Sequence, residues 1–261
     1  MTNASLRPGD FTRLAEDYSR YRPGYSETVL DCLLGLFPSR DIDVADVGAG
    51  TGIWTRMVAR RGVRSVVAVE PDDEMRRCGI RDSESLGIVW RKGGGEATGL
   101  DDRSVDWLCM ASSFHWVDTA RGLAEFARVL RPGGRFVALW NPRRIEANPL
   151  LVEIEGYLAE LAPDLKRVSS GRSGIAERMG EILRNASEFE DVIAIEGEHV
   201  AQLTPDQYLG VWRSVNDVQA QLGPERFQAF LNHVAHRIRG LEHIETTYLT
   251  RAWAARRTGR T

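Results

Sequence analysis

Val44-Ala45-Asp46-Val47-Gly48-Ala49-Gly50-Thr51-Gly52 runs a short apolar strand into a turn of three glycines, and an amphipathic helix, Trp54 to Arg61, follows directly. Glycines at alternate positions let the chain turn tightly and bring its backbone close to a ligand with no Cβ in the way. The helix behind the turn begins with N–H groups that have no partner inside the helix. Such a strand–turn–helix suits a nucleotide-like ligand at the carboxyl edge of a parallel sheet. Glu70 closes the next strand, 22 residues after Gly48. An acidic residue in that place can accept hydrogen bonds from both ribose hydroxyls. Dinucleotide sites use the spacing G-x-G-x-x-G. Here it is G-x-G-x-G, with Asp46 two residues before the first glycine. A carboxylate there repels a diphosphate and suits a ligand carrying an ammonium or sulfonium charge.

Outward from this turn, short apolar runs alternate with amphipathic helices. Strands are read at Asp43–Val47, Ser65–Val69, Gly87–Trp90, Val105–Ala111 and Gly134–Trp140, and helices at Asp72–Ile80 and Asp118–Leu130. The second helix places Leu123, Phe126, Ala127 and Leu130 on one face. This alternation predicts βαβ units and a parallel sheet covered on both sides. Residues 1–40 read as an amphipathic helical cap, broken at Arg22-Pro23-Gly24. Residues 143–188 read as helical and are too long for an ordinary αβ connection, so they are expected to be an insertion, either a lid or a dimer element. Strand returns over 191–202, helix from Thr204 to about His243, and a last strand from Glu245 to Ala255. The whole of 1–261 is expected to form one domain.

DVGAGTG (46–52) resembles motif I of the class I S-adenosylmethionine-dependent methyltransferases. VVAVEP (66–71), GEATGLDDRSVDWL (95–108) and LRPGGRFVALWN (130–141) resemble the following elements of that family in the same order and spacing. YSRYRPGY (18–25) and SSFHWVD (112–118) resemble its type-11, trans-aconitate-methyltransferase-like branch. The resemblance covers about residues 10–142. It implies a doubly wound α/β fold with seven strands in the order 3-2-1-4-5-7-6, the last antiparallel. The implied cofactor is S-adenosylmethionine, the product S-adenosylhomocysteine, and the acceptor a small molecule. Where the family often has a Leu-Pro turn after an acidic-Ala pair, this chain has Thr98-Gly99-Leu100-Asp101.

The candidate cofactor residues follow. Gly48, Ala49, Gly50 and Thr51 form the loop, with Glu70 and Pro71 at the ribose. Asp46 is expected to orient the glycine loop through its N–H groups, or to reach the methionine part through water. Glu96 and Ala97 are placed beside the adenine by resemblance, and Tyr18 and Arg22 over the methionine carboxylate, which suits a guanidinium. Ser112 and Ser113 end the fourth strand at the cofactor's amino-acid end. His115, on the ligand edge, is a candidate proton acceptor or a residue that packs against and holds the cofactor. Trp116, Trp140, Asn141 and Arg143 lie at strand ends and are candidates for the acceptor pocket. Tyr208, Trp212 and Arg213 fall on a late helix placed to cap it.

Composition narrows the remaining classes. Apolar residues are 43%, charged residues 27% and net charge is −3, which favours neither a nucleic-acid-coating surface nor an acidic tail. Cys32, Cys78 and Cys109 are too scattered for a disulfide framework or zinc site. His233 and His236 lack a third ligand, so no metal is expected. No apolar run reaches the roughly 18 residues of a membrane span, and no signal sequence is read, so the cytoplasm is the expected compartment. A monomer or homodimer is expected. A nicotinamide-dependent oxidoreductase and a methyltransferase acting on RNA or protein remain the two alternatives.

Overall fold

The computed structural model describes residues 14–167 and 174–259. Seven strands, β1 (Asp43–Val47), β2 (Ser65–Val69), β3 (Val89–Arg91), β4 (Val105–Ala111), β5 (Leu130–Trp140), β6 (Phe189–Leu203) and β7 (Ile244–Arg257), form one sheet in the order β3-β2-β1-β4-β5-β7-β6. Pairings from β3 through β5 are parallel, and β7 runs antiparallel to both β5 and β6. This is the strand order that the family resemblance implied, and its parallel part is what the strand–helix alternation predicted.

Side chains alternate across a strand, and the sheet uses both faces. From β4, Trp107 and Cys109 point to one side and Leu108 and Met110 to the other. The first side packs on α2 (Glu27–Leu34) and α3 (Ile53–Ala59), through Leu30, Leu33, Trp54 and Val58. The second packs on α5 (Thr119–Val129) and α7 (Ile175–Asn185), through Phe126, Val129, Met179 and Leu183. The helix α4 (Asp73–Asp82) buries Met75 and Cys78 against Ala15 of α1 (Ala15–Tyr21).

The stretch 143–188 is not one helical insertion. It divides into α6 (Pro149–Leu161) and α7, and α7 belongs to the cover of the sheet because its apolar stripe faces β5 and β6. Residues 168–173 lie outside the described residues. Only α6 and its flanks stand apart, with α8 (Pro205–Arg213) and α9 (Asn216–Arg237), in a separate apolar cluster with Tyr21, Leu203 and Ile244. The expected helix from Thr204 to His243 is likewise two helices. Thr204 caps the first through a reciprocal box with Gln207, and the second bends where Gly223 takes φ +73° before Pro224. Of the expected cap, α1 and α2 are seen; residues 1–13 lie outside the described residues.

Candidate active site

Every turn that leaves a parallel strand at its carboxyl end contributes to one concave region. Gly48 N and Ala49 N donate to Val69 O, at 2.8 and 3.1 Å, which fastens the turn after β1 to the end of β2. Gly48 takes φ +66°, and a Cβ there would lie 2.7 Å from the Ser113 side chain. Gly50 takes φ +58° and faces open space. The first glycine is needed for packing, therefore, and the second leaves room. Glu70 is buried and holds the loop with both carboxylate oxygens: Oε2 accepts from Gly50 N at 2.7 Å and Oε1 from Asp72 N at 2.9 Å. Burial pushes its carboxyl above the ordinary range, while those two amides pull it back.

A cavity of about 430 Å³ opens over these groups. Gly48, Ala49, Gly50, Thr51, Glu70 and Pro71 line one part of it. Gly94, Gly95, Glu96, Trp116 and Val117 line another. Met110, Ser112 and Ser113 from the end of β4 complete it, with Tyr18 and Tyr25 above. Thr51 Oγ1 is buried there without a protein partner. A second cavity of about 70 Å³ adjoins the first, lined by Arg22, Asn141, Arg143, Arg167 and Tyr248 among others. Tyr18, Tyr25, Ile53 and Ser112 line both. Where they meet, Tyr25 Oη donates to Ser112 Oγ at 3.0 Å, and Ser112 holds the left-handed φ of +55°. That conformation costs a non-glycine residue on the order of 1–3 kcal/mol and is typical of ligand-contacting turns.

The candidate residues do not all fall where the sequence puts them. Asp46 lines neither cavity. It is fully buried behind the loop, where Oδ2 accepts from Thr55 Oγ1 at 2.5 Å, so it braces the first turn of α3 and not the glycine N–H groups. Burial pushes its carboxyl up to about 7. Ala97 also lines neither; its N–H donates to Gly94 O in a tight bridge. Arg22 lies in the smaller cavity, its Nε donating to Ser214 Oγ at 2.7 Å, and not in the larger one expected from the resemblance. Trp116 is the reverse: it is 45% exposed beside Glu96 in the larger cavity, not in the smaller. Trp140 lines neither, being buried against Trp253 and His115. Asn141 reaches the smaller cavity, but its amide is engaged on both sides, donating to Gly24 O and accepting from Thr250 Oγ1. Tyr208 and Trp212 are buried under the smaller cavity, where the Trp212 ring carries the Arg143 guanidinium at 4.4 Å.

His115 lines neither cavity. Its Nδ1 accepts from Trp140 Nε1 at 3.4 Å, which assigns the ring proton to Nε2, and that atom is buried with no partner. Burial lowers its pKa to about 4. The imidazole is therefore neutral near pH 7, with its lone pair turned to an indole. Sequence reasoning missed Tyr25, Arg167 and Tyr248. Tyr25 closes the motif YSRYRPGY, which could have marked it; nothing local marks the other two. Among the described residues, no group of three His, Cys, Asp or Glu side chains forms a metal-binding cluster, and no helix is long and apolar enough to cross a membrane.

Residues 45–138 match the family model described as a methyltransferase domain. An uncharacterized methyltransferase of Mycobacterium tuberculosis is 43% identical over 129 residues, 48% of this chain and 49% of the relative. The chain thus spans about half the length of that curated relative. A demethylmenaquinone methyltransferase of Tropheryma whipplei is 32% identical over 154 residues, 58% of this chain and 62% of the relative. A solved structure from Anaeromyxobacter dehalogenans, provisionally assigned as a type II methyltransferase, superposes with a TM-score of 0.68 at 24% identity, over 92% of this chain and 100% of that one. That last likeness bears on the fold.

Proposed function

We propose that this chain, whose residues 45–138 match a methyltransferase domain, is a class I S-adenosylmethionine-dependent methyltransferase and that it methylates an O, N or C nucleophile of a small-molecule acceptor. One observation carries the reading: a large cavity built on the glycine loop and Glu70 meets a small one at the Tyr25–Ser112 contact. Donor and acceptor each have a chamber, and the two share a wall.

The residues present fit the cofactor. Gly50 leaves open space where any other residue would place a Cβ, Thr51 Oγ1 waits unpartnered in the wall, and Glu70 presents a buried carboxylate. Glu70, with the Gly48–Thr51 loop and Pro71, would hold the ribose and amino-acid parts. Glu96, Gly95, Trp116 and Val117 would hold the adenine. When bound, the cofactor supplies a methyl group already activated on a sulfonium. The chain's own task is alignment of the two reactants and exclusion of water, which alone can supply much of a transfer rate. Tyr25 and Ile53 close the junction, and burial raises the Tyr25 phenol so that it stays protonated and donates to Ser112. His115 does not serve as a base in this arrangement, since its lone pair faces Trp140. It positions that indole instead. The Tropheryma whipplei relative, named for a quinone precursor, accords with a small acceptor.

The test is transfer of label from S-adenosylmethionine into a lysate of the source cells, separated by filtration. Label in the small-molecule filtrate supports the reading and yields a product to identify. Label confined to retained RNA or protein overturns the acceptor class and leaves the cofactor site standing.

A further inference from the structure

The smaller cavity has a wall of hydrogen-bond donors. We propose that it is an anion subsite, holding a carboxylate or phosphate group of the acceptor on Arg143 and Tyr248, and that this group is an anchor distinct from the atom that receives the methyl. The proposal rests on the methyltransferase reading and names the acceptor's chemistry.

Arg143 stands just past β5, with its side chain only 10% exposed. Its Nη2 pairs with Glu155 Oε1 at 3.2 Å, while Nη1 is buried with no partner. The Trp212 ring stacks on the guanidinium, and a face-on stack leaves the in-plane N–H groups for an oxygen ligand. Tyr248, on β7, bridges to Arg143 through the backbone and is also buried, and its hydroxyl too is unpartnered. A buried donor without an acceptor is costly to the fold, so two of them at one cavity point to a ligand that satisfies both. Charge agrees. Among the described residues, Arg22, Arg143 and Arg167 line the cavity and no carboxylate does. Glu155, which pairs with Arg143 and Arg167, and Asp217, 3.8 Å from Arg167, stand behind that wall.

Size fixes the part played by the anion. About 70 Å³ is the room of two or three waters, enough for a carboxylate or phosphate head and too little for a whole acceptor. The rest of the acceptor must extend through the shared wall at Tyr25 and Ser112, toward the larger cavity. An oxygen held by a guanidinium and a phenol has its lone pairs engaged and is a poor nucleophile, so the methylated atom lies elsewhere in the molecule.

The experiment titrates the protein saturated with S-adenosylhomocysteine with acetate, with inorganic phosphate, with acetamide as a neutral shape match, and with chloride at equal ionic strength. Calorimetry and thermal melting are the readouts. Saturable binding of acetate or phosphate is expected, at least tenfold weaker in both Arg143→Gln and Tyr248→Phe, with S-adenosylhomocysteine affinity held within twofold. Tyr248→Phe removes one hydroxyl without a protein partner and keeps the test valid if the arginine variant fails to fold. Tighter acetate indicates a carboxylate anchor and tighter phosphate a phosphate ester. Equal binding of acetamide or chloride, unchanged affinity in a folded Tyr248→Phe, or no anion binding at all overturns the subsite. Methyl acetate formed when S-adenosylmethionine replaces the product overturns the separation of anchor from nucleophile. If S-adenosylhomocysteine itself does not bind, the methyltransferase reading fails on its own, and the anion titration of the free protein still decides the subsite.

Discussion

Replacing Glu70 tests the cofactor assignment most directly. The carboxylate is 7% exposed and already accepts two backbone amides, from Gly50 and Asp72. Each oxygen retains a second lone pair, and these are the ones assigned to the ribose hydroxyls. Hydrogen bonds to a charged partner contribute about 1.5–3 kcal/mol each. Glu70→Ala removes two from the bound state, or about 3–6 kcal/mol, which corresponds to a 10²- to 10⁴-fold loss of affinity. It also releases the loop amides, so loop disorder alone has to be separated from lost contact. Glu70→Gln does that: its carbonyl oxygen keeps one amide acceptor and its NH₂ accepts nothing, and a loss of about 10- to 100-fold is expected. Calorimetric titration with S-adenosylhomocysteine reads both, with thermal melts to confirm the fold. Adenosine, which has the ribose and lacks the amino acid, should lose affinity by a similar factor. A folded Glu70→Ala that binds within threefold of the unaltered protein refutes the ribose assignment. So does a loss for S-adenosylhomocysteine with none for adenosine.

Three further outcomes follow from the same geometry. Gly48→Ala sets a Cβ 2.7 Å from Ser113 at a left-handed φ and should lower stability by about 2–5 kcal/mol, whereas Gly50→Ala meets no neighbour, should lose only about 1–2 kcal/mol, and should instead weaken S-adenosylhomocysteine binding. Paired urea melts and titrations separate the two, and equal destabilisation contradicts the assigned roles. His115 is lowered from 6.5 to about 4 by burial, so the fold favours the neutral ring; stability is full above pH 6.5 and falls by up to roughly 3 kcal/mol as pH drops toward 4. His115→Gln should remove that contribution, and turnover should change less than the melt; a collapse of turnover with an unchanged melt would restore His115 as a base. Asp46 is raised from 3.8 to about 7 by burial, so the fold favours its protonated form, and stability falls by up to roughly 4 kcal/mol as pH rises from about 4 to 7. These two slopes oppose each other over much the same window. These two contributions should therefore nearly cancel from about pH 4 to 6.5, and relative to the unaltered protein His115→Gln should tilt the stability curve downward with pH and Asp46→Asn upward.

Much of the fold was legible because its signals are local. The strand into G-x-G-x-G, Glu70 at the next strand end, and short apolar runs such as Val105–Ala111 each declare themselves within a few residues. The order of the distal strands came from the family resemblance. What stayed hidden depends on tertiary contact. Nothing in Ile175–Asn185 says whether its stripe meets the sheet or a lid, and the sheet proved to be the partner. Asp46 reads as a carboxylate that orients the glycine loop, or reaches the ligand through water, until Thr55 in the first turn of α3 is seen to take it. His115 reads as a base until Trp140 is seen to occupy its lone pair. Trp116 and Arg22 exchanged cavities because the chain past β4 and the end of α1 turn in directions that residue type does not encode.

The division between the legible and the hidden follows the division of labour in the site. The family match, residues 45–138, covers β1 to most of β5 and with them the glycine loop, Glu70, Glu96 and Ser112. Those are the groups proposed to meet the cofactor, and the motifs of the matched half reveal them. Arg143, Arg167 and Tyr248 lie after residue 138, and Arg22 lies before residue 45. They reach one cavity only because α1 packs against α8, α6 lies under α9, and β7 folds back beside β5. A cavity assembled from four distant segments leaves no motif in any of them. Relatives can therefore share the donor half and differ in what they methylate, and the acceptor is to be sought through the chemistry of the small cavity and not through likeness in the matched half.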